Sequence, residues 1–152
     1  MDTPERVLRQ SRIIAVVGCS RNPEKSAHSV PKRLRERGYR IIPVNPNVEE
    51  VFGERCFSTL GEVATPVDLV LVFRPSEEAP ALAQTAIRLG ARAFWLQLGL
   101  RSEEARRIAG GAGLDYVEDR CAGVEAAQHG IQVSVELDPQ SRSPSAPQGS
   151  RG

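Results

Sequence analysis

Ile13-Ile14-Ala15-Val16-Val17-Gly18-Cys19-Ser20-Arg21-Asn22-Pro23 is the stretch that decides the fold. Its first five residues are β-branched or small and apolar with no polar alternation, the pattern of a strand buried on both faces of a parallel sheet. The turn-rich run from Gly18 to Pro23 ends that strand. It leads into a helix that runs through Leu34 and stops at Gly38.

The same alternation of short apolar runs and longer amphipathic segments continues outward in both directions. Upstream, Thr3-Pro4-Glu5 reads as a cap with proline at the first helical position, opening a short helix through Gln10. Downstream, Tyr39 to Val44 is a second strand closed by Asn45-Pro46-Asn47. Phe52-Gly53 marks a turn, and Ser58 to Val63 is a short helix with Ser58 as its cap. Asp68 to Phe73 is a third buried strand, and Ser76 with Glu77-Glu78 starts a helix that ends at Gly90. Arg92 to Gln97 is the fourth strand, Ser102-Glu103-Glu104 caps a helix to about Ala109, and Leu114 to Val117 is the fifth strand. From Leu137 the chain is proline-rich and polar, which predicts a disordered tail over 137–152 behind a domain of residues 1–136. The expected fold class is α/β: a single Rossmann-like, doubly wound sheet of five parallel strands in the order 3-2-1-4-5.

Composition bounds what such a domain does. With 152 residues, 40% hydrophobic and 26% charged, one globular domain is expected. Twenty Lys and Arg against nineteen Asp and Glu give a net charge of +1, no footprint for nucleic acid or an anionic membrane. The apolar runs are strand-sized and well short of a membrane span, and the N-terminus lacks a basic segment followed by an apolar one, so a cytoplasmic protein is expected. Cys19, Cys56 and Cys121 form no C-x-x-C pair, which signals neither a disulfide framework nor zinc.

In a doubly wound sheet a ligand binds beyond the carboxyl ends of the strands, so the loops there hold the candidates. After the first strand, Gly18 permits close backbone approach and Ser20 offers a hydroxyl. Arg21 and Lys25 add positive charge beside a helix start whose free N–H groups suit phosphate. The loop lacks the G-x-G-x-x-G fingerprint, and no G-x-x-x-x-G-K-[ST] occurs, which disfavours a kinase or ATPase. A NAD site places an acid after the second strand, where this chain has Asn45-Pro46-Asn47; Asn45 suits a base or ribose and Pro46 packs against one, though both are ordinary turn residues. Cys121, in Asp119-Arg120-Cys121, is either a buried thiol or one activated by Arg120 and a helix start, and Cys19 faces the same choice. Trp95 reads as core. Glu77-Glu78 and Glu103-Glu104 read as helix-start acids, and neither His28 nor His129 shows a general-base pairing.

Taken together, Ala15-Val16-Val17-Gly18-Cys19-Ser20 with Asn22-Pro23, Gly38 to Pro46, Val70 to Pro75, Ala93 to Gly99 and Asp119-Arg120-Cys121 resemble the small CoA-binding proteins similar to the N-terminal domain of the succinyl-CoA synthetase α subunit. The resemblance covers about residues 5–130. It implies coenzyme A as the ligand, with Gly18, Cys19, Ser20 and Arg21 approaching the phosphates and Val44, Asn45, Pro46 and Asn47 flanking the nucleotide. Phe73, Arg74 and Pro75 would line its path, Gln97 and Leu98 match a loop holding more of the cofactor, and Lys25 is added on charge. The phosphohistidine of the ligase belongs to a second domain, so no ligase activity is expected, and Ala122-Gly123-Val124-Glu125 departs from the family pattern after Cys121. The reading is a non-catalytic CoA or acyl-CoA binding protein, with a protein partner compatible. The alternatives are a small thiol enzyme using Cys121 and a ligand-free interaction domain.

Overall fold

The computed structural model describes residues 1–135. The chain forms helix α1 (Thr3–Gln10), strand β1 (Ile13–Val17), helix α2 (Ser26–Glu36), strand β2 (Arg40–Val44) and a small hairpin of β3 (Glu50–Val51) and β4 (Glu54–Arg55). After a 3-10 turn (Leu60–Glu62) come β5 (Leu69–Val72), a second 3-10 turn (Ser76–Glu78), α3 (Ala79–Arg88), β6 (Ala93–Leu96), α4 (Glu103–Gly111), β7 (Asp115–Val117) and α5 (Ala122–Gln128). The expected tail, 137–152, lies outside the described residues. Among the described residues, no helix is long and apolar enough to cross a membrane.

The five long strands form one parallel sheet, an α/β Rossmann-like fold as expected, but the order differs. It is β2-β1-β5-β6-β7, so the third main strand lies beside the first and not beyond the second. Two interactions account for this. One oxygen of the Asp68 carboxylate accepts the N–H groups of both Arg12 and Ile13 at 2.9 Å, fastening the start of β5 to the start of β1. The outer edge of β2 is taken by Phe57, whose N–H donates to the Pro43 carbonyl at 3.0 Å and whose carbonyl accepts from Asn45 at 2.9 Å.

Alternation along the buried strands divides the core into two layers. Ile14 and Val16 of β1 pack with Leu69, Leu71 and Trp95 under α1, α2 and α5. Ile13, Ala15 and Val17 pack with Val70, Val72, Phe94 and Leu96 under α3 and α4. On this second face the helices present Ala79, Ala83, Ala86, Ala105 and Ala109, all fully buried, and these small side chains let helix backbone approach the sheet. Trp95 is core as expected, and its indole N–H donates to the Arg120 carbonyl at 2.8 Å, positioning the loop after β7. Burying one such large apolar side chain stabilises the fold by roughly 1.5–3 kcal/mol.

Several caps differ from the sequence reading. Asp2, not Thr3, caps α1, accepting from the Glu5 N–H at 3.0 Å. Ser58 caps nothing; its segment makes only a three-residue 3-10 turn. Ser76 opens a 3-10 turn ahead of α3, and its hydroxyl oxygen accepts from the Arg101 N–H at 3.0 Å. Ser102 does cap α4, accepting from Ala105 N–H at 3.0 Å. Gly38 ends α2 with φ +104°, and the 131–133 segment crosses directly above it, Val133 N–H donating to the Arg37 carbonyl at 2.9 Å.

Candidate functional site

The loop from Gly18 to Lys25 is built by local hydrogen bonds and fastened from three sides. Gly18 has φ +87°, and a Cβ there would lie 3.0 Å from the Phe73 carbonyl oxygen. Its glycine lets the loops after β1 and β5 close on each other. Ser20 Oγ accepts from the Asn22 N–H and Asn22 Oδ1 from the Glu24 N–H, both at 3.0 Å.

Pro31 supplies the second fastening. Inside α2 it lacks the N–H that would bond the Ala27 carbonyl, and the Ser20 N–H takes that acceptor at 3.1 Å. His28 supplies the third, its Nδ1 lying 2.7 Å from the Ser20 carbonyl oxygen. A carbonyl only accepts, so Nδ1 carries the proton. Phe52, at the tip of the β3–β4 hairpin, packs against the His28 ring with centroids 4.8 Å apart.

Asn45 ties the second loop to the first. Its Nδ2 donates to the Cys19 carbonyl at 2.9 Å and its Oδ1 accepts from the Asn47 N–H at 2.8 Å, so its amide is occupied in joining loops. These loops, with that after β5, enclose a cavity of about 540 Å³, within the range of small-molecule sites. Val17, Gly18, Ser20, Lys25, Ala27, Val44, Asn45, Pro46, Asn47, Ser58, Thr59, Leu60, Phe73, Arg74, Glu78 and Leu82 line it.

Of the residues singled out from sequence, the structure brings Gly18, Ser20, Lys25, Val44, Asn45, Pro46, Asn47, Phe73 and Arg74 to this cavity. Five others lie off its walls. Cys19 turns its thiol into the core, where burial foremost, and then the neighbouring Cys56, push the thiol up to about 12. Iodoacetamide at pH 8 is therefore expected to alkylate the half-buried Cys121 in the native protein and leave Cys19 unlabelled until denaturant is added; mass spectrometry of the labelled peptides checks this. Arg21 is exposed and Pro75 sits outside the lining. Gln97 is buried beneath α5, its Oε1 accepting from the Ala122 N–H at 3.2 Å. Leu98, 65% exposed, belongs to a different cavity.

The wall formed by Ser58, Thr59 and Leu60 was missed because it follows an edge segment and not a strand end of the main sheet. Glu78, read as a helix-start acid, instead faces Arg74, with Nη2 to Oε2 at 2.7 Å and Nε to Oε1 at 3.1 Å. Their mutual hydrogen bond, the main cause, raises the arginine pKa and lowers that of the carboxyl. The spacing i, i+4 was the available signal for this pair.

The electrostatics of the cavity centre on α2. Lys25 occupies its N-cap position with no side-chain cap, and the first turn holds no acid. The backbone amides of Ser26 and Ala27 have no acceptor among the described residues. Helix ends with a bare, positively charged N-terminus are unfavourable by themselves, and an anion relieves them. Val17, Val44, Leu60, Phe73 and Leu82 give the cavity apolar walls between Lys25 and the Arg74–Glu78 pair.

A second cavity of about 620 Å³ lies where the loops after β6 and β7 meet α5, with Leu98, Cys121 and Val124 on its lining. Its arginines are already neutralised. Arg101 meets Asp119 at 2.6 Å, Arg106 meets Glu118 at 3.3 Å and Arg120 meets Glu125 at 3.1 Å. Although larger, it offers an anion less than the first.

A family profile described as a CoA binding domain matches residues 12–127. The uncharacterized protein YneT of Bacillus subtilis is 40% identical over 123 residues, covering 81% of this chain and 91% of that protein. The solved structure of cell-free ID.343 from Thermus thermophilus superposes with a TM-score of 0.78 at 38% identity, covering 84% of this chain and 98% of that one. The alpha subunit of acetate–CoA ligase (ADP-forming) II of Pyrococcus furiosus is 30% identical over 127 residues, a match that takes in 74% of this chain but only 27% of the subunit. By the extent of the profile match and the likeness to YneT, the chain belongs to the CoA binding domain family.

Proposed function

We propose that the protein binds coenzyme A or an acyl-CoA without catalysing a reaction on it, residues 1–136 forming the binding domain. The observation that carries this reading is the uncapped N-terminus of α2 with Lys25 on it, opening into the cavity at the carboxyl end of β1. Lys25, the Ser20 hydroxyl and the Ser26 and Ala27 amides hold the phosphates. Val44, Pro46, Asn47 and Phe73 flank the nucleotide, and Arg74 meets its charged portion from the opposite loop. Family membership supports the choice of CoA among phosphate-bearing nucleotides. The absence of an acid in Asn45-Pro46-Asn47 favours it over NAD. Its three free thiols suit a reducing compartment, and we place it in the cytoplasm.

A thermal-shift series with CoA, acetyl-CoA, ADP, NAD and NADP tests this. Ligand at 100 times its Kd stabilises the native state by about 2.7 kcal/mol. CoA is expected to raise the melting temperature, ADP to raise it less, and NAD to leave it unchanged. Cys121→Ser is expected to respond to CoA as the wild type does, since the thiol lies in the other cavity. No shift with CoA at about millimolar concentration, or loss of the shift in Cys121→Ser, would reject the reading.

A further inference from the structure

Arg74 and Glu78 both line the cavity of about 540 Å³, and they direct their charges at each other. Glu78 is the one acid among the described lining residues, and Lys25 and Arg74 are the only cations there. The carboxylate takes the Nε and Nη2 edge of the guanidinium, the same fork that a phosphate grips with two parallel hydrogen bonds. The side chains of the pair are 48% and 44% exposed, so it is held in a well-solvated setting where such pairs contribute little. With its side chain 44% exposed, the Glu78 carboxylate has water beside it to solvate it once released from the fork.

Resting on the coenzyme reading, we propose that Glu78 is a built-in competitor for the ligand: an incoming phosphate displaces its carboxylate from the Arg74 fork, and Glu78 thereby sets both affinity and selectivity for phosphate charge. The cavity's charge is +1 with Glu78 ionised, from two cations and one acid, and +2 without it. Repulsion between Glu78 and the ligand grows with each phosphate, so its removal favours CoA over ADP and does nothing for adenosine.

The test is calorimetric titration of CoA, ADP and adenosine into the wild type, Glu78→Gln and Glu77→Gln. Glu77 is an exposed neighbouring acid outside the cavity, so its variant removes the same charge without touching the fork. Glu78→Gln is expected to bind CoA about three- to fivefold more tightly at low salt, ADP with a smaller gain and adenosine unchanged. The advantage shrinks at high salt, and Glu77→Gln stays near the wild type. Equal or weaker CoA binding by Glu78→Gln, an equal gain for adenosine, or an equal gain in Glu77→Gln overturns the proposal while the coenzyme reading stands. Failure of the wild type to bind CoA overturns both.

Discussion

Lys25→Ser is expected to make the ligand-free protein more stable and a poorer binder at the same time. Serine at the N-cap accepts from a first-turn amide and removes a cation from the positive end of α2, together contributing about 0.5–2 kcal/mol to the native state. The same change deletes the ammonium offered to phosphate. A hydrogen bond involving a charged group is worth about 1.5–3 kcal/mol, so CoA affinity falls tenfold or more. The salt dependence of the remaining binding also flattens, because one fewer charge meets the phosphates. Calorimetric melting without ligand and titration with CoA at two salt concentrations measure the two effects. A lysine kept only for packing would lose stability on replacement and leave affinity alone, which is the opposite pattern. Opposed signs in one variant are what a site-serving residue predicts, since natural sequences break local rules where function needs it.

Gly38→Ala is expected to be the most damaging glycine-to-alanine change among the described residues. At φ +104° any L side chain is strained by roughly 1–2 kcal/mol. The added Cβ would also overlap the Val133 carbonyl, which is backbone and cannot rotate away. Overpacking costs a further 1–3 kcal/mol, roughly, and about 3 kcal/mol in total is expected to appear as a lower denaturation midpoint with an unchanged m-value. If the 131–133 segment instead detaches, its Val133 N–H bond to Arg37 opens and Ile131 leaves the core. Amide exchange at Val133 then rises in step with the lost stability. A variant as stable as the wild type would show that this segment does not press on α2.

The parts of the fold that depend on single segments were legible in the sequence. Ile13 to Val17, Leu69 to Val72 and Ala93 to Leu96 are buried on both faces, and such strands are written as continuous apolar runs. Ser102 announced its helix, and Gly38 and Gly90 announced the ends of theirs. Strand order was not legible, because it is set by Asp68 reaching the Arg12 and Ile13 amides and by Phe57 closing the edge of β2, contacts between residues far apart in sequence. The strand-end rule found the loops that meet at the cavity but not which way their side chains turn. Cys19 follows a left-handed glycine, which rotates its thiol into the core, and the Asn45 amide is engaged by neighbours that no spacing reveals. Ser58 to Leu60 form a wall because the segment after the hairpin folds back beside β2, a tertiary outcome.

Pro31 has a consequence for when the loop after β1 becomes ordered. By withholding one N–H from its own helix it leaves the Ala27 oxygen to hold Ser20, so the loop's conformational entropy is surrendered during folding rather than on association. A ligand entering the proposed site would therefore find this loop already ordered, with less entropy left to lose on association. The helix gives up one rung of its ladder, and the loop beside it becomes part of the rigid scaffold.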